Sequence, residues 1–133
     1  MVQSTLFGLH ELGMAKGDNV AIMGDNSLPW LCADLATLAG GLPNVVISPN
    51  VSDFTLSKIL AHSRCRAIFM DALVARRLLA VKAQLPTLSH AMFLTTAPKS
   101  FAAVCHLPSC WSGADAVVST NWINCWKQSS QII

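Results

Sequence analysis

The amino-acid sequence predicts an α/β fold, a doubly wound and mostly parallel sheet with helices on both faces. Three observations support this prediction. Short apolar segments of strand type recur four times, helical patterns separate them, and turn or capping residues bound the helical patterns. This alternation is typical of βαβ units, whose right-handed crossovers place helices against both faces of a sheet.

The helices are predicted from the spacing of apolar residues and from the residues at the helix ends. Leu6 and Leu9 share one stripe of an opening helix, and Gly13 is a stop signal after it. Ser27 is a natural N-cap, and Pro29 suits the first turn of the next helix, where its missing N–H costs nothing. The predicted helices cover residues 2–12, 28–39, 53–62 and 72–84.

The strands are predicted from short runs of apolar residues. The first of them, "NVAIM", shows no alternation with polar residues, which indicates burial on both faces, as in a parallel sheet. The predicted strands cover residues 19–23, 44–48, 66–70 and 91–95.

The amino-acid composition of the chain changes near Ala97. The segment after it holds three of the four tryptophans and three of the five cysteines, and only residues 114–120 have the composition of a further strand. We therefore divide the chain into an α/β subdomain, residues 1–95, and a divergent tail, residues 96–133.

The composition is unusually apolar. Hydrophobic residues make up 53% of the chain and charged residues 12%, against about 25% charged residues in typical soluble domains. A spanning helix needs about 20 mostly apolar residues in a row, and the longest charge-free run, residues 35–52, is interrupted by glycines and prolines. We expect no transmembrane segment and no signal peptide, and we interpret the apolar excess as surface that another part of a protein covers.

Charge and cysteine content narrow the classes of partner and compartment. The formal net charge is +2, and the basic residues are not interleaved with aromatic residues, so no nucleic acid is expected as a partner. The five cysteines form no CxxC pair, which favours free thiols in a reducing, intracellular compartment and therefore a cytoplasmic location.

An ordered set of short motifs resembles one enzyme family. Leucine-glycine and Lys-Gly-Asp come first, at Leu12-Gly13 and residues 16–18, and an apolar strand with Asn26-Ser27 follows. A helix containing Trp30 then closes on Gly40-Gly41. The remaining motifs are Pro49 after the second strand, His62-Ser63 before the third, and "LPTLSHAMFL" at residues 85–94. Together they resemble the N-terminal part of the AMP-forming acyl-CoA synthetases, and the amino-acid sequence of the motifs favours the long-chain fatty-acid branch.

The resemblance implies ligase chemistry for a full-length parent. Such enzymes use ATP and Mg²⁺ to activate a carboxylate, here a fatty acid, as an acyl-adenylate, and coenzyme A then takes the acyl group. Peripheral membrane association of the parent is also implied. The family's glycine-rich phosphate loop, its AMP-contacting segments and the lysine of its C-terminal domain have no counterpart in these 133 residues. We therefore assign no catalytic, cofactor-binding or metal-binding residue and expect the chain alone to be inactive, as an incomplete N-terminal subdomain.

Several residues are possible sites, but we interpret them as structural. The turn at residues 24–27 lies where α/β sheets bind phosphate. It has only one glycine, and the acidic Asp25 would repel a phosphate, so we interpret it as a structural turn. Cys65 and His62 are a possible nucleophile pair, but they lie on a helix-to-strand turn and we interpret their proximity as incidental. We expect Trp30 to make a core or interdomain contact. A metal site is possible in principle at Cys105, His106, Cys110 and Cys125. No second close pair of ligands follows the first, so we interpret this grouping as chance.

Two classes of function therefore remain. The first is part of an acyl-CoA synthetase, and the alternative is a non-catalytic α/β module that binds a ligand or a partner.

Overall fold

The computed structural model describes residues 2–94 and 104–106. The helices are α1 Val2–Glu11, α2 Leu28–Ala39, α3 Asp53–Ser63 and α4 Ala72–Val81, with a 3₁₀ turn at Lys82–Gln84. The strands are β1 Val20–Met23, β2 Asn44–Ile47, β3 Ala67–Met70, β4 His90–Phe93 and β5 Val104–His106. None of the helices in these residues has the length and apolar character needed to cross a bilayer.

The strands form one sheet in the order β2-β1-β3-β4-β5. The first four strands are parallel, and β5 pairs antiparallel with β4 at one edge. The predicted doubly wound, mostly parallel sheet is confirmed. No strand was predicted at the position of β5, within the tail, and the strand predicted at residues 114–120 lies outside the described residues.

Two apolar clusters cover the two faces of the sheet. Side chains alternate along β1, so that Val20 and Ile22 join one cluster while Ala21 and Met23 join the other. The first cluster includes Leu9 of α1, and the second includes Leu56 of α3. All residues of β1 and β3 are buried, as expected for central strands with helices on both sides.

The helix ends follow the local chemistry. Ser27, Ser52 and Asp71 cap α2, α3 and α4, each accepting a hydrogen bond from a backbone N–H three residues later. The fourth helix ends earlier than predicted, since Val81 is followed by the 3₁₀ turn. The third helix ends at Ser63 with Arg64 in the left-handed region at φ 49°, where glycine is the usual residue.

Candidate functional site

The carboxyl edge of the sheet is the position at which a doubly wound fold would hold a ligand. Strand order reverses between β1 and β3, because the chain goes from β1 to β2 on one side and then crosses to β3 on the other. Ligands of doubly wound folds bind outside the carboxyl ends of the strands at such a switch point. Gly24 follows β1 and Asp71 follows β3, so these two residues lie at that position.

The switch point is filled by protein atoms. A Cβ added at Gly24 would lie 2.9 Å from Leu94 Cδ1 and 3.5 Å from Asp71 Oδ2. The Leu94 N–H donates to Met70 O at 2.8 Å, which fixes the segment after β4 against β3. The Asp71 carboxylate accepts a hydrogen bond from Val74 N at 2.9 Å, and its charge disfavours a phosphate beside it.

The turn at residues 24–27 has the geometry of a helix cap. Ser27 Oγ accepts a hydrogen bond from Trp30 N at 3.3 Å, and the backbone at Ser27 is extended. Trp30 itself is half-buried and packs against the cluster that contains Leu9. Both residues therefore fix the start of α2.

Arg77 holds the loop between β2 and α3 on the same edge of the sheet. Its Nε donates to Asp53 Oδ1 at 2.6 Å, and its Nη1 donates to Pro49 O at 2.7 Å. Its Nη2 donates to the carbonyl of Val51. This role of Arg77 was not predicted, because nothing in the local sequence marks an arginine that binds a loop and a helix start 24–28 residues away.

The structure brings no nucleophile pair together at Cys65. The thiol is buried, and Ser63 Oγ lies 3.1 Å from its sulfur. Burial raises the pKa of the Cys65 thiol, and the hydrogen bond with Ser63 offsets part of this. His62 is exposed in the last turn of α3. A buried thiol with a raised pKa is a poor nucleophile.

Two of the four side chains considered as metal ligands lie outside the described residues. Cys105 and His106 belong to β5, while Cys110 and Cys125 lie outside the described residues. Within residues 2–94 and 104–106, no group of three or more potential ligands could hold a metal ion.

A cleft of about 550 Å³ lies at the opposite edge of the sheet, between the ends of α1 and α2. Buried Leu9, Met14 and Leu42 form its apolar part, and exposed His10 and Lys16 contribute polar groups. The carboxyl ends of both helices point here and favour cationic side chains. This accounts for the two basic residues without a ligand.

The outer side of α2 carries an exposed apolar stripe. Its members recur at spacings of three and four residues, and each is 45–61% exposed. Single exposed leucines are ordinary on a protein surface, whereas a contiguous apolar stripe on one side of a helix indicates a contact surface. The stripe consists of Leu28, Leu31, Leu35 and Leu38.

Comparisons with known proteins point to one family. A family model described as "AMP-binding enzyme" matches residues 7–115, which extends past residue 95 into the segment treated as a tail. A mitochondrial medium-chain acyl-CoA ligase of Homo sapiens is 31% identical over 67 residues, covering 50% of this chain and 11% of the relative. A chloroplastic long-chain-fatty-acid–[acyl-carrier-protein] ligase of Arabidopsis thaliana is 38% identical over 64 residues, covering 48% of this chain and 9% of the relative.

Among solved structures, the anthranilate CoA ligase AuaEII in complex with anthranoyl-AMP has a similar fold. The TM-score is 0.68 at 20% identity, over 69% of this chain and 18% of that one. Each match therefore spans only a small part of a much longer protein.

Proposed function

This chain belongs to the AMP-binding enzyme family, and from that premise we propose that it forms part of an ATP-dependent acyl-CoA ligase. In the proposed reaction a carboxylate attacks the α-phosphate of ATP, pyrophosphate leaves, and the thiol of coenzyme A displaces AMP from the acyl-adenylate. The observation that carries the proposal is the family match over residues 7–115, together with relatives named as acyl-CoA or fatty-acid ligases.

The described residues do not themselves fit an ATP·Mg site. The switch point is filled by Leu94 and bears the Asp71 carboxylate. Arg77, a cation on the same edge of the sheet, is already bound to Asp53 and to two loop carbonyls. Phosphate sites need converging N–H groups or free cations. We therefore propose that these residues contribute a rigid α/β layer to the ligase rather than its reacting groups.

The inactivity of the 133-residue chain can be tested by pyrophosphate exchange with ATP, Mg²⁺ and fatty acids of several lengths. We expect no exchange above background from protein that circular dichroism shows to be folded. A full-length ligase of the same family serves as the positive control. Exchange that depends on both the chain and a fatty acid would overturn the proposed inactivity.

Competence as part of a ligase can be tested with a chimera. Residues 7–94 of this chain replace the corresponding segment of the human medium-chain ligase. We expect the chimera to retain exchange activity if the segment is a scaffold. The matched control carries Ala33→Glu, which places a charge at a fully buried position of α2 and prevents folding. A folded but inactive chimera would count against the proposed scaffold role.

We propose fatty acids as the carboxylate substrates and a reducing intracellular compartment for the protein. The relatives' names support the first, since they specify medium-chain and long-chain substrates. Cys32 and Cys65, both free and buried, are compatible with the second. Activity of the chimera on acids of increasing length tests the substrate class, and thiol counting on protein isolated under alkylating conditions tests the compartment.

The α2 stripe favours a second candidate, an interaction module without catalysis. Four exposed leucines on one helix are a surface that another polypeptide can cover. We expect the 133-residue chain to self-associate through this stripe in sedimentation velocity, and we expect the double substitution Leu31→Gln, Leu35→Gln to reduce that self-association without lowering the free energy of unfolding. If the double variant restores a monomer and also abolishes the chimera's activity, the stripe contacts the rest of the ligase. If activity persists, the independent module is the better description.

A further inference from the structure

We draw no further inference here: the strongest candidate, the exposed apolar stripe along the outer side of α2, is a helix face for which nothing in the described part of the chain shows what covers it.

Discussion

Arg77 Nε lies 2.6 Å from Asp53 Oδ1 and so joins the first turn of α3 to α4. The same guanidinium donates to the carbonyls of Pro49 and Val51, in the loop that leads from β2 to α3. A guanidinium can serve three acceptors at once because its N–H groups point outward in one plane. The loop at this edge of the sheet is therefore held by one side chain from a different helix.

Substituting Arg77 with lysine should destabilise the fold even though the charge is kept. An ammonium on a flexible side chain cannot donate to Asp53 and to both loop carbonyls at the same time. We therefore expect the free energy of unfolding to fall by about 1–2 kcal/mol. Asp53→Asn is the comparison. The Asp53 side chain is 53% exposed, so solvent screens the ion pair and we expect a loss of about 0.5 kcal/mol. Urea unfolding measures both, and equal losses would contradict the central role of the carbonyl contacts.

Gly24 and Leu94 should be energetically coupled. A methyl group at Gly24 meets Leu94 Cδ1 at 2.9 Å, so the leucine must shift to admit it. We expect Gly24→Ala to cost about 1 kcal/mol in the wild-type background and clearly less in a Leu94→Ala background. A double-mutant cycle by urea unfolding measures the difference. Equal costs in both backgrounds would show that Leu94 does not restrict this position.

Gly8 provides the control for the effect of a new methyl group. It lies within α1, and a Cβ there meets nothing within 4 Å. Gly8→Ala should therefore stabilise the fold by about 1 kcal/mol through helix propensity.

The elements that the sequence predicted well are those determined by neighbours along the chain. Ser27 with Pro29, and Ser52 with Asp53, mark helix starts by local hydrogen bonding and dipole effects, and the structure begins α2 and α3 at the predicted residues. The burial of β1 on both faces also follows from its unbroken apolar run.

The features that escaped prediction depend on contacts between distant residues. Leu94 reaches Gly24 across 70 positions of sequence, and the pairing that makes β5 a strand is supplied by β4. The three-residue β5 has no length or periodicity of its own to mark it. At the carboxyl edge, the sequence did indicate a turn at residues 24–27, but only packing showed that the switch point is filled.

Arg64 occupies a backbone conformation that glycine adopts at lower cost. Its φ is 49°, and its N–H donates to Ala61 O at 3.4 Å at the end of α3. Because the left-handed region costs a residue with a Cβ about 1 kcal/mol or more, Arg64→Gly should raise the free energy of unfolding by about 1 kcal/mol. Arg76→Gly, in the right-handed interior of α4, should lower it by a similar amount. Urea unfolding of the two variants tests this, and a loss in both would show that the Arg64 side chain contributes more than its backbone conformation costs.

Cys65 should make the stability of the fold depend on pH under alkaline conditions. Burial raises the pKa of the Cys65 thiol in the folded state, so the unfolded chain releases this proton at lower pH than the folded one. The stability contributed by the neutral thiol is therefore fully present below the unfolded pKa of about 8.5 and is lost as pH rises through the folded value. We expect the free energy of unfolding to fall above about pH 8.5 in the wild type and to fall less in Cys65→Ala. Urea unfolding across this range measures the difference, with Ser63→Ala as the companion variant: without the Ser63 hydroxyl, the thiolate loses a hydrogen bond and the alkaline decline should steepen. An identical pH profile for wild type and Cys65→Ala would mean that this thiol is not the group whose burial resists ionisation.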